Sequence, residues 1–360
     1  MNRLFRHIAL IILSGLFLTG CAYDDTVREL REQDNYSGSL AIEFNNGLID
    51  KPVTTKATTL LSEHSGTMGV WGWQTTIQDD TERLFQNQEV TFNDTLGKWT
   101  YSPVKYWESH SSYRFYAYAP HSGSVPGVTA AIDSATHAIS FKGITLQGNN
   151  TLQTGVPELH ANFAQVDDVD WMLDRTGQNL SGSTRSEVMF NMQHILAKIC
   201  VKVCRSNFFL TDSVEVTVIV DSLKIGGFVS QGDFDQTFDS VSIAKSQEWT
   251  LIDTLPRYTM NSTHDVSIAD SALYIMESLL IPQYTDDSQY VQIWYSIGNK
   301  DGFMNHFNYV FRLNQAFRHF DTGCNYILSI VLGGPEPITF NGGVSSWDNY
   351  TETSSINTQQ

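Results

Sequence analysis

The chain has 360 residues, long enough for two domains of ordinary size. It carries 22 Lys and Arg against 39 Asp and Glu, a formal net charge of −17. The acidic side chains are dispersed, and no basic patch with interleaved aromatics occurs. This argues against a nucleic-acid or anionic-membrane surface as partner.

In chain order, Arg3 and Arg6 precede an apolar run from Ile8 to Leu18. A mature transmembrane helix needs about 20 apolar residues. The run is shorter and reads as the core of a signal peptide over residues 1–20. Leu18-Thr19-Gly20-Cys21 closes it in a way that resembles a bacterial lipoprotein signal. Cys21 then becomes the lipidated first residue of the mature chain, anchored to the outer membrane by fatty acyl chains such as palmitate. Such anchoring strengthens by about 0.8 kcal/mol per buried CH2. Asp24 and Asp25 read either as a surface-export signal or as ordinary solvated residues of a tether over 21–37.

The body alternates at period two and shows no long apolar stripe at helical period. Leu40, Ile42 and Phe44 alternate with Ser39, Ala41 and Glu43. Tyr113, Phe115 and Ala117 form a second set, Val214 to Val220 a third, and Val291 to Ile297 a fourth. Tyr326 to Leu332 follow, and Ile338, Phe340, Gly342 and Val344 close the series. β-Branched and aromatic residues fit a pleated, half-buried surface, and Gly, Asn, Asp and Ser mark the turns. The expectation is an all-β fold of two tandem sandwiches. One spans 38–183 and the other 184–350, parted at the Gly/Ser/Thr stretch 176–184. Residues 351–360 read as a polar tail.

Catalytic signals are weak. No metalloprotease, nucleophile-elbow, phosphate-loop or dinucleotide motif occurs, so the expectation is a protein with no catalytic residue, no cofactor and no metal site. Asp233-Phe-Asp-Gln-Thr-Phe-Asp239 has the carboxylate spacing of a calcium loop but lacks its central Gly and terminal Glu. It reads more readily as a turn between strands. The carboxylates Asp167, Asp168 and Asp170 fit solvated loop residues or a hydrolytic pair. Trp71, Trp73, Trp99 and Trp107, with Tyr101 and Tyr106, fit either core packing or a platform for sugar rings, the latter giving a surface glycan-binding lipoprotein as the alternative function. In a strand, Cys200 and Cys204 stand about 13 Å apart, too far for a disulfide. A bridge from Cys324 to one of them is open to the chain, and three free thiols are the simpler reading.

Several segments, in order, resemble the fimbrillin-like lipoproteins of Gram-negative anaerobes. They are Ile42-Glu-Phe44, Thr54-Thr-Lys-Ala-Thr58, Trp71-Gly-Trp73, Trp99-Thr-Tyr-Ser-Pro103 and Tyr113-Arg-Phe115. Asp170-Trp-Met172, Leu196-Ala-Lys-Ile199, Leu279-Leu-Ile-Pro-Gln283 and Gly323-Cys-Asn-Tyr326 follow, and Ile338-Thr-Phe340 with Trp347 closes the set. The resemblance implies two transthyretin-like sandwiches. It also implies a fimbrial subunit or a tip or anchor component, serving adhesion to host or bacterial surface ligands. A trypsin-like protease would cut between Lys56 and Ala57, where many relatives have Arg. The cut would release Leu40, Ile42 and Phe44 as a displaced strand. Another fimbrial subunit would then fill the groove by strand exchange, with Ile338, Phe340 and Val344 as the inward set of the donor.

Overall fold

The computed structural model describes residues 40–45, 48–49, 65–147, 150–151, 165–166, 172–174, 178–183, 187–206, 216–238, 244–269, 272–299, 302–333, 338–346 and 356–357. Among these residues the chain is all-β, broken only by short 3-10 turns at Ser122–Ser124 and Leu313–Gln315. No helix of the described residues is long and apolar enough to cross a membrane.

The strand Thr67–Thr75 lies inside an eight-stranded sheet, between Ser112–Ala119 and Thr81–Asn93. Beyond Ser112–Ala119 come Met172–Asp174, Asn191–His194 and Leu48–Ile49. The last pair runs parallel, with Leu48 opposite Asn191 and Ile49 opposite Met192. The strand Gln178–Ser181 also pairs with Ser112–Ala119.

Both faces of this sheet are buried. Met68, Val70, Phe85, Phe115, Ala117 and Met192 line one core. Trp71, Trp73, Tyr116 and Tyr118, whose side chains point the other way along the same strands, belong to a second and larger core. Gly72 is required between the two tryptophans. A Cβ there would come within 2.8 Å of the Phe85 ring and 2.9 Å of the Phe115 ring.

The larger core continues into a four-stranded sheet ordered Ala244–Leu251, Gln231–Phe238, Ile139–Thr145, Thr129–Ile132. Tyr116 meets Phe238 at 5.0 Å and Tyr118 meets Phe141 edge-on at 5.1 Å. The same core extends between two further sheets. One is ordered Leu273–Leu280, Ala197–Arg205, Cys324–Leu332, Ile338–Ser346, Ile356–Asn357, and the other Tyr258–Ile268, Val216–Phe228, Tyr290–Asn299, Met304–Arg312.

The strands do not part at residue 183. Asn191–His194 pairs within the first sheet, and Gln231–Phe238 pairs with Ile139–Thr145. The physical reason is a long hairpin. Val216–Phe228 runs on through Val229 and Ser230 into Gln231–Phe238, and the returning strands Ala244–Leu251 and Tyr258–Ile268 accompany it. One end of the hairpin completes a sheet with its own half, and the other end covers the first sheet.

Asp233 and Asp235 lie within a strand, not in a turn. Phe234, Gln236 and Phe238 alternate inward, and the outward carboxylates face Lys142 at 3.5 and 3.2 Å. Asp167, Asp168 and Asp170 lie outside the described residues. Cys200, Cys204 and Cys324 form no disulfide, and Cys200 is buried. Burial pushes the Cys200 thiol far above its usual range, so it is no ready nucleophile.

Candidate functional site

Residues 40–45 cross the smaller core as its cover. The backbone is hydrogen-bonded on both sides. Toward residues 105–107, Ile42 N donates to Lys105 O at 2.8 Å and Trp107 N donates to Leu40 O at 3.1 Å. Toward Val188, that residue's N donates to Glu43 O at 2.8 Å, and Asn45 N donates to Val188 O at 2.9 Å. The resulting bridges are Ala41 with Tyr106, antiparallel, and Phe44 with Val188, parallel. The Tyr101 hydroxyl adds a bond to Ile42 O at 2.8 Å. Burial raises its pKa to about 12, so it remains a neutral donor at physiological pH.

Ile42 and Phe44 supply the apolar contact. Ile42 is fully buried, and Phe44 is 3% exposed. The Phe44 ring sits among Phe85 at 5.6 Å, Tyr101 at 5.4 Å, Phe115 at 6.2 Å and Phe190 at 5.8 Å. Fully burying such side chains stabilises by about 1.5–3 kcal/mol each. Leu40 departs from the expected inward set and is 50% exposed, because the bridged stretch spans the core with Ile42 and Phe44 alone. Surface contacts add little. Glu43 and Lys98 pair at 3.2 Å with both ends about half exposed, and such pairs contribute about 0–1 kcal/mol.

Cys21, Lys56 and Ala57 lie outside the described residues. Ile338, Phe340 and Val344 lie in the strand Ile338–Ser346, which pairs with Cys324–Leu332 over its whole length and with Ile356–Asn357 on its other edge. Phe340 is buried and stacks on Phe311 at 4.3 Å and 13°. Ile338 is half-buried and Val344 is 42% exposed.

Burial removes the four tryptophans from the sugar-platform expectation, and leaves Tyr106, 49% exposed. Trp71, Trp73, Trp99 and Trp107 are each no more than 6% exposed. They pack inside the protein, and of the four Trp73 borders a cleft. Among the described residues, no group of three or more His, Cys, Asp or Glu is placed to hold a metal.

A cleft absent from the sequence reading opens at the end of the first sheet. It encloses about 860 Å³. Its floor is a row of side chains in register across four strands: Arg83 opposite Trp73, Trp73 opposite Arg114, Arg114 opposite Asn179. Two residues along each strand, and so on the same face, a second row aligns Thr81, Thr75, Ser112 and Ser181.

The hairpin tip between Thr129–Ile132 and Ile139–Thr145 brings Ser134 and His137 over the first row. Asp133 shapes that tip by accepting from Ala135 N at 3.0 Å and Thr136 N at 2.7 Å. Arg83 lies 5.2 Å over the Trp73 ring and donates to the Ser134 hydroxyl. Arg114 donates to Asn179 Oδ1 at 2.9 Å and to His137 Nδ1 at 3.3 Å. Burial, and then the Arg114 guanidinium, hold the His137 imidazole below its usual pKa, which suits its role as acceptor.

Layered sheets, two apolar cores and a bridged N-terminal cover define a β-sandwich protein whose first described segment is held by contacts that do not depend on chain continuity. The profile of the fimbrillin-like family matches residues 55–347, and the chain belongs to that family. Among solved structures, a fimbrial protein from Bacteroides vulgatus is similar at 16% identity and a TM-score of 0.52, over 85% of this chain and 99% of that one. A candidate cell adhesion protein from Bacteroides uniformis is similar at 17% identity and a TM-score of 0.46, over 87% and 99%. The tip fimbrial protein Mfa3 from Porphyromonas gingivalis is similar at 9% identity and a TM-score of 0.34, over 79% and 95%. No curated protein sequence matches the chain. The Bacteroides vulgatus likeness speaks for the fold alone.

Proposed function

We propose that the protein is a non-catalytic component of a surface fimbria, a structural subunit or a tip or anchor, that serves adhesion. It reaches the outer membrane as a lipoprotein through Cys21. Cleavage between Lys56 and Ala57 then leaves residues 40–45 bound by contacts alone, and their loss opens the aromatic groove to a strand of another subunit.

This reading rests on how the cover is held. Backbone bonds flank it on both sides, and Ile42 and Phe44 are buried in the smaller core. A groove with free backbone donors and acceptors and a row of apolar pockets is what strand addition requires. The donor in this reading is Ile338–Ser346, which must leave its own sheet. Val344 gives up little burial in doing so, Ile338 gives up its packing against the larger core, and Phe340 gives up its stack on Phe311.

Treating the purified precursor with a trypsin-like protease that cuts after Lys56 tests the proposal. The expected result is loss of the N-terminal fragment and formation of oligomers in native mass spectra. A chain that is cut, loses the fragment and remains monomeric would overturn the polymerising role. On cells, a mature N-terminus at Ala57 marks a released subunit, and a lipidated Cys21 marks a fixed anchor.

A further inference from the structure

The two rows of the cleft at the end of the first sheet lie on the face opposite the N-terminal cover, while Tyr113 and Leu180 of its lining pack with the smaller core. The two rows have distinct chemistry. The first sets two guanidinium groups on either side of Trp73. The second is a line of four hydroxyls, with Thr75 and Thr81 hydrogen-bonded at 2.9 Å.

The ion pairs of the described residues leave both Arg83 and Arg114 out. This occurs in a chain with 39 acidic against 22 basic residues, where a carboxylate partner would be easy to supply. Their contacts instead are to Ser134, Asn179, His137 and the Trp73 ring. These orient the two groups without neutralising them. Among the described residues, no Asp or Glu lines the cleft. Its volume falls in the range of small-molecule sites, roughly 300–1,000 Å³.

We infer that this cleft binds an acidic sugar, a uronic or sialic acid within a glycan. A guanidinium presents paired donors matched to a carboxylate. Hydroxyls both donate and accept, as a polyol ligand requires. Trp73 is buried as the floor of the row, so recognition runs through polar groups and not through ring stacking. The lining also includes Leu180 and Tyr113, but its row of four hydroxyls favours a polyhydroxylated acid over an acidic peptide.

Titration calorimetry of the full mature chain tests the assignment. The probes are oligosaccharides ending in galacturonic, glucuronic or sialic acid, a neutral oligosaccharide of equal length, and polyglutamate. At least one acidic sugar should bind, with the neutral one at least tenfold weaker. Arg83→Gln and Arg114→Gln should each weaken binding at least tenfold, and Thr81→Val several-fold with an unchanged melting temperature. The assignment is overturned if none of the acidic sugars binds, if the neutral sugar binds as well, if polyglutamate binds as tightly, or if the arginine and threonine variants bind like wild type.

Discussion

Replacing Phe44 by Ala in a chain that can be nicked between Lys56 and Ala57 isolates the strength of the cover. Its ring is buried among four aromatic rings, and nothing on the surface substitutes for it. Phe→Ala in a packed core costs about 3–5 kcal/mol. At tenfold per about 1.4 kcal/mol, the affinity of the severed segment should fall by between about 100-fold and several thousand-fold. Relaxation of the surrounding rings favours the lower end. Glu43→Ala removes only an exposed ion pair and should weaken retention by no more than about fivefold. The assay places a recognition sequence for a site-specific protease between Lys56 and Ala57, nicks the chain, and follows the fraction that keeps its N-terminal fragment by native mass spectrometry. Retention of the fragment in nicked Phe44→Ala at the wild-type level would refute the reasoning. So would equal losses for Phe44→Ala and Glu43→Ala.

Other outcomes follow from the same geometry. Gly72→Ala forces a Cβ against Phe85 and Phe115 and should destabilise by about 1–3 kcal/mol, read from urea midpoints. Phe340→Ala should lower those midpoints well beyond Val344→Ala, because only the first side chain is buried; equal effects would contradict the placement of the strand. The Tyr101 pKa is raised, first by burial, to about 12. A folded value above the unfolded one of 10.0 means the stabilisation is complete below pH 10 and is lost as pH rises toward 12. Tyr101→Phe should flatten the fall in urea midpoint over that window, and an unchanged slope would argue against a buried neutral phenol.

Period-two alternation made most strands readable before the fold was known, and it also singled out Ile42 and Phe44 as inward residues. It could not show that Ser112–Ala119 is buried on both faces. Tyr116 and Tyr118 look like the outer side of an ordinary half-exposed strand until Phe141 and Phe238, from distant parts of the chain, are packed on them. For the same reason the boundary at 183 is not seen in the strand pairing. A Gly/Ser/Thr stretch reports a turn, and the sharing of sheets between halves depends on a hairpin whose length has no local mark. Asp233 and Asp235 misled through their carboxylates, although Phe234 and Phe238 carried the strand pattern. The Arg83–Trp73–Arg114–Asn179 row exists only in the register of four strands. Its one trace in the sequence is a repeated spacing, hydroxyl then arginine two residues on, in Thr81-Glu82-Arg83 and Ser112-Tyr113-Arg114.

The cover also sets an order of events. Its partners come from far along the chain, with Asn45 and Glu187 separated by 142 residues. Contacts of such separation form late, because the chain between them must first be ordered. Residues 40–45 are therefore synthesised ahead of every strand described here yet docked after the first sheet has closed around Val188–His194. A folding molecule should pass through a stage in which its sheets are built and its groove is still open. Pulsed hydrogen exchange would see the amides of Ile42 and Asn45 gain protection after those of Thr67–Thr75. On the proposed assembly route, the molecule's own N-terminus would compete with foreign strands for that groove during this interval, with the advantage of being tethered to the same chain.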